Sequence, residues 1–210
     1  MTAQNFTQNS SSALAPGFDT PVVDSQSCFR AIMNAMARPG QTQRFTRAPL
    51  DVPAPLTPLA AAIALTLFDY DTPIWLDPDL MESSDALGYL RFHTGAPVTS
   101  DAAKATFALL TSPRHLPDLS TFAQGSAEYP DTSTTLILAG QNFSAGPSVS
   151  LTGPGIRSAQ GFRTDPVSGG FWQQMQFNNT SFPCGVDVVF ASDDEIAALP
   201  RSTKITIAES

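Results

Sequence analysis

Apolar residues in this chain arrive in short blocks, and 18 prolines and 13 glycines cut between them. Proline withholds a backbone donor and glycine favours turns, so each helix or strand has to fit between such breaks. The block from Leu56 to Phe68 is bounded by Pro55 and Asp69. That is well short of the roughly 18 apolar residues a membrane-spanning helix needs. The chain is therefore expected to fold from many short elements. Its 210 residues, 42% of them apolar, suffice for one substantial core.

Cys28, Phe29, Ile32, Met33 and Met36 recur at helical spacing, Asp24 or Ser25 stands where a cap belongs, and Arg38-Pro39-Gly40 ends the run. A second helix begins at Thr57-Pro58, a capping hydroxyl followed by a proline suited to the first turn, and runs apolar through Phe68. Ile74-Trp75-Leu76 reads as a buried strand that Asp77-Pro78 terminates. Ser83 to His93 is expected to be helical with Leu87 and Leu90 inward, and Phe171 to Phe177 helical as well. Ala105 to Leu110 and Thr134 to Ala139 read as strands, and Val149 to Thr152 as a half-buried strand before the Gly153-Pro154-Gly155 turn. Val186 to Ala191 is expected to be the last core strand, interrupted by Asp187, with Ile205-Thr206-Ile207 pairing at an edge. Interleaved helices and strands predict an α/β fold: a three-layer mixed sheet with helices on both faces, mixed because several connections are too short for crossovers. No repeat of fixed period occurs.

Nineteen acidic residues against eleven Lys and Arg give a net charge of -8, which repels a phosphate backbone and argues against nucleic-acid partners. Charged residues make up only 14%, where about 25% is ordinary, so much of the surface is cheap to desolvate against other subunits. Cys28 and Cys184 are too few for a disulfide framework and read as free thiols. The segment Met1 to Ser12 is polar, with neither a basic start nor an apolar h-region. It therefore reads as no secretory signal but as a disordered arm over residues 1–20, ahead of one domain over 21–210 in a cytoplasmic protein.

Reactive motifs are scarce. No Gly-x-Ser-x-Gly elbow occurs, since Gly146-Pro147-Ser148-Val149-Ser150 lacks the second glycine. No P-loop is present, and His93 and His115 have no second ligand at metal spacing. Arg91, His93 and Thr94 gather a guanidinium, an imidazole and a hydroxyl that suit phosphonate or phosphate oxygens. The same stretch also reads as a helix end whose Arg91 pairs with an acid and whose His93 caps carbonyls. Gly153 and Gly155 either present amides to an anion or make an ordinary turn. Arg201, in Leu199-Pro200-Arg201-Ser202-Thr203, likewise reads as a ligand contact or as the partner of a carboxylate or another subunit.

Three long blocks carry a resemblance. They are Phe29 to Gly40 (FRAIMNAMARPG), Leu65 to Leu76 (LTLFDYDTPIWL) and Leu90 to Thr94 (LRFHT). Thr135 to Leu138, Leu151 to Ile156, Phe182 to Asp187 and Leu199 to Thr203 follow in the same order. From about Pro21 to the end, this ordered set resembles the PhnH family. The resemblance implies a homodimer with a fold similar to the large domain of pyridoxal-phosphate-dependent transferases, without the cofactor. Only Lys104 and Lys204 are available for a Schiff base, so no cofactor is expected. It also implies a subunit of the carbon-phosphorus lyase core complex, working with PhnG, PhnI, PhnJ and PhnL. With PhnG, PhnI and PhnL such a subunit is needed to transfer ribose 5-triphosphate from ATP to methylphosphonate, the alpha-D-ribose 1-methylphosphonate 5-triphosphate synthase reaction. Two distant cysteines hold no iron-sulfur centre, so the subunit is expected to be non-catalytic alone, with no catalytic residue and no metal. The competing expectation is a stand-alone phosphonate- or phosphate-binding α/β protein, or a cryptic transferase, using Arg91, His93, Thr94, Gly153, Gly155 and Arg201.

Overall fold

The computed structural model describes residues 15–46 and 50–207. Helix α1 (Pro21–Ala37) opens with proline in its first turn, and the Asp24 carboxylate reaches back to accept from the Thr20 amide at 3.0 Å and its hydroxyl at 2.8 Å. Arg38-Pro39-Gly40 stops it as expected. A two-residue strand, β1 (Gln43–Arg44), follows. Helix α2 (Pro58–Leu67) is capped by the Thr57 hydroxyl, which accepts from the Ala60 amide at 3.3 Å. Every residue from Leu59 to Ala64 is buried.

Strand β2 (Ile74–Leu76) leads into the short helix α3 (Pro78–Glu82), and α4 (Ser84–Thr94) ends at Gly95, whose left-handed φ of 69° closes the helix. Strands β3 (Phe107–Leu110), β4 (Thr135–Leu138), β5 (Val149–Thr152) and β6 (Gln160–Phe162) come next. Helix α5 (Phe171–Thr180) precedes β7 (Asp187–Ala191), β8 (Glu195–Leu199) and β9 (Lys204–Ile207).

Six strands form one mixed sheet in the order β1-β8-β7-β4-β3-β2. The run β2, β3, β4, β7 is parallel, and β8 and β1 continue it antiparallel. Alternating side chains divide the core. Leu109, Ile137, Val189, Ile196 and Ala198 point toward α1, α2 and α4, whereas Leu110, Leu136, Phe190 and Leu199 point the other way. On that second face lie α5 and a separate sheet of order β6-β5-β9. The mixed α/β architecture was legible in the sequence. The second sheet was not, because Val149 pairs with Ile207, a residue far along the chain.

One expectation needs correction. Val186 to Ala191 is not the last core strand: β8 follows it and pairs antiparallel, Val189 opposite Ala198. Its Ala197 and Ala198 have little strand preference, but both are fully buried and α1 packs directly on this strand. Ala198 is the one that faces α1, and its small side chain lets the helix come close, whereas Ala197 points into the opposite core. On α1 itself, Cys28 and Ile32 face the core, while Phe29 and Met33 are 49% and 50% exposed.

Burial has a chemical consequence at Cys28. Removal from water pushes its thiol from 9.0 up to about 11, only partly offset by a hydrogen bond with Thr66. A folded-state value above the unfolded one means the contribution to stability is intact below about pH 9 and is lost as pH rises through 11. In native protein at pH 8 we expect a thiol reagent to label the half-buried Cys184 and leave Cys28 unmodified until unfolding. Labelling of both at equal rates would contradict this burial.

Candidate functional site

Open parallel sheets place ligands at the carboxyl ends of their strands, where adjacent connections leave toward opposite faces. That divergence occurs once next to β2. The chain leaves β2 through α3, whose Leu80 joins the core on the α1 and α2 side, and it leaves β3 through a turn that carries Leu116 into the opposite core. The Asp77 side chain occupies the crevice between the two exits and is 1% exposed. It accepts from the backbone amides of Thr111 at 2.7 Å, Ser112 at 2.8 Å and Leu80 at 3.1 Å, and from the Thr111 hydroxyl at 3.2 Å. Convergent amides of this kind are what a bound oxyanion would use. Here the protein fills the position with its own carboxylate, and Asp79 takes up the Ser112 hydroxyl beside it.

A second buried carboxylate, Asp187 at the start of β7, holds the turn between β8 and β9. Its Oδ1 accepts from the Arg201 amide at 2.8 Å and Nε at 3.1 Å, and its Oδ2 from Nη2 of the same guanidinium. Arg201 Nη1 donates to the Pro130 carbonyl, and Asn179 Nδ2 donates to the Arg201 carbonyl at 3.0 Å. The ion pair is mostly buried, its side chains 14% and 13% exposed. A planar guanidinium matches this two-oxygen geometry as a lysine cannot. Of the two readings of Arg201, the structure supplies the carboxylate.

The other candidate residues fall into separate neighbourhoods. His93 Nε2 donates to the Ala15 carbonyl at 3.0 Å, and its ring lies 4.5 Å from that of Tyr89. The Thr94 hydroxyl returns to the Leu90 carbonyl at 2.7 Å, completing the helix end. Arg91 is exposed on α4 with no ion pair among the described residues. Gly153 lies against the backbone at Ser202 and Thr203, and Gly155 (φ 80°) against the Ala37 carbonyl, where a β-carbon has no room. The glycine turn thus packs against the end of α1 and near Arg201, whereas Arg91, His93 and Thr94 sit on α4. The two groups lie on different elements, and no group of His, Cys, Asp or Glu among the described residues has a metal-binding arrangement. Asp77 escaped the sequence reading because its Asp-Pro signal marks a strand end, and the amides it holds lie 34 and 35 residues later.

These features define a class: a mixed-sheet α/β protein whose buried carboxylates hold its own backbone. Residues 16–206 match the family described as bacterial phosphonate metabolism protein (PhnH). The chain belongs to that family. It is 38% identical over 188 residues to the alpha-D-ribose 1-methylphosphonate 5-triphosphate synthase subunit PhnH of Rhizobium meliloti (strain 1021), covering 90% of this chain and 93% of that protein. It is 32% identical over 182 residues to the putative C-P lyase subunit protein HtxG of Stutzerimonas stutzeri, covering 87% of this chain and 86% of that protein.

Replacing Asp187 with Ala strands the Arg201 guanidinium in a mostly buried position, which should cost about 3–5 kcal/mol. Urea unfolding monitored by circular dichroism reads that loss. Replacing the pair together by Leu and Met should cost clearly less than the single change. Equal losses would mean the ion pair is not the reason the single variant is unstable.

Proposed function

We propose that this chain is an accessory subunit of the carbon-phosphorus lyase core complex. With PhnG, PhnI and PhnL it is needed for transfer of ribose 5-triphosphate from ATP to methylphosphonate, and with PhnJ it belongs to the wider assembly. The observation that carries this is the 38% identity to a synthase subunit across 93% of that subunit's length. An accessory role agrees with where the buried acids are: Asp24, Asp77 and Asp187 each accept backbone amides. The reading places a single domain, homodimeric when isolated, in the cytoplasm; among the described residues no helix is long and apolar enough to cross a membrane.

The same proposal includes a fold like the large domain of pyridoxal-phosphate-dependent transferases, working without that cofactor. Two observations bear on the cofactor. Lys104 is 76% exposed and ion-paired with Asp101 at 3.1 Å, and Lys204 is exposed on β9. A Schiff-base lysine belongs in a desolvated pocket that lowers its pKa.

The purified chain, given ATP and methylphosphonate, is expected to form no ribosylated product, and product is expected once PhnG, PhnI and PhnL are added. Turnover by the isolated chain overturns the accessory reading.

A contact with substrate in the assembled complex is a second reading, favoured by one observation: Arg91 is exposed and free of any ion pair among the described residues. His93 and Thr94 on the same helix would then support the site around it, whereas Gly153, Gly155 and Arg201 lie in another neighbourhood. Under that reading Arg91→Ala leaves assembly intact and raises the KM for methylphosphonate about tenfold, the loss of one charge-assisted hydrogen bond. An unchanged KM in an intact complex removes Arg91 from the site.

A further inference from the structure

Helix α1 carries two apolar faces, and the domain covers one of them. The inner face, with Cys28, Ala31, Ile32 and Ala35, is buried against β8 and α2. The outer face presents Val22, Phe29 and Met33, 83%, 49% and 50% exposed. Their i, i+7, i+11 spacing aligns them in one stripe. At its C-terminal end the stripe meets an open hollow of about 340 Å³ lined by Met36, Pro130, Phe182 and Pro183. Phe182 there is 60% exposed. A contiguous aromatic and methionine surface with few charges has the composition of an interface centre.

Charge says what covers it. The chain has a net charge of -8, yet the exposed charges on α1 and its C-cap are Arg30 and Arg38, both cationic and without an ion pair among the described residues. The helix's one acid, Asp24, is buried. In the hollow Arg201 is already paired with Asp187, which leaves the exposed Asp131 at its rim. Within this surface the unpaired cations therefore lie on the helix side, with the exposed Asp19 just ahead of its start. A second copy packed face to face would set a two-fold axis near Phe29 and bring one Arg30 against the other. Like charges so juxtaposed oppose association. A helix of another chain with carboxylates flanking its apolar stripe meets the same surface with opposite charge, in the helix-on-groove mode of recognition.

We infer that the outer face of α1 and the adjoining hollow dock an amphipathic, acid-flanked helix of a different subunit. Its apolar side chains cover Val22, Phe29 and Met33, and its carboxylates meet Arg30 and Arg38. The inference rests on the complex-subunit reading and assigns that subunit its docking face; any homodimer contact lies elsewhere.

The test co-expresses the full chain with PhnG, PhnI and PhnJ and measures its stoichiometry in the purified assembly. Circular dichroism confirms that each variant is folded. We expect F29E/M33E to be recovered at about a tenth of the wild-type level or less, as for loss of central interface residues. The surface variant R30E/R38E, which disturbs no buried group, should also assemble about tenfold less well and lose most of the salt dependence of binding. F92E, which changes a still more exposed aromatic on α4, should assemble as the wild type does.

Assembly of R30E/R38E or folded F29E/M33E at wild-type levels overturns the inference. So does sedimentation showing that the isolated chain self-associates and that F29E/M33E abolishes it, since a second copy is then the occupant. Failure of the wild-type chain itself to join the assembly removes the subunit reading on which the inference depends. Joining by wild type and variants alike removes the docking face alone.

Discussion

The ion pair between Asp187 and Arg201 fixes how the two halves of the structure meet. Asp187 begins the last parallel strand, and Arg201 sits in the turn that carries the chain out of the main sheet, through β8, into β9 of the second sheet. The guanidinium also holds the Pro130 carbonyl, and Asn179 at the end of α5 holds the backbone at Arg201. Four separate segments, one of them 71 residues before Arg201, therefore converge on one mostly buried pair. A pair of that kind is weak evidence for net stability, because desolvation offsets much of the attraction. What it supplies is position: apolar packing alone would tolerate the turn in several settings, whereas a forked donor on two carboxylate oxygens accepts one.

Asp77 acts in the same manner after β2, at the edge of the sheet. The connections after β2 and β3 diverge there, so the amides of Thr111 and Ser112 and the first turn of α3 lack strand partners, and the carboxylate satisfies them all. In many α/β proteins the equivalent crevice receives a phosphate or a cofactor. Here it is built shut. With Asp24 tying down the start of α1, the three buried acids among the described residues each accept from a backbone amide, while Phe29, Met33 and Phe182 are left facing outward. The division suits a protein whose work is done at its surface against other chains.

Local signals decided which parts of this fold were readable. Helix α2 was, because Thr57-Pro58 states its start and the unbroken apolar run states its burial. Strands β2 and β4 were readable as compact apolar runs ending at turn residues. Strand β8 was hidden because its Glu-Ile-Ala-Ala-Leu sequence carries no strand preference until α1 is laid on it. The helical period of α1 was plain, but a helix with two apolar faces does not say which one the domain covers. Arg201 read equally as a ligand contact or as the partner of a carboxylate or another subunit, and its Asp187 lay in a run that read only as a strand interrupted by an acid. Long-range polar contacts leave almost no trace in a single sequence.

Hydrogen-deuterium exchange on the chain, free and within the core complex, measures most directly whether its buried charges serve the fold and its surface serves the assembly. The account predicts that amides at Leu80, Thr111 and Ser112 are protected in the free chain and indifferent to added ATP or methylphosphonate. New protection on assembly should fall on α1 and around Phe182. A change at residues 77 to 80 or 111 to 112 when ATP or methylphosphonate is added to the isolated chain, with α1 unaffected by assembly, would contradict it.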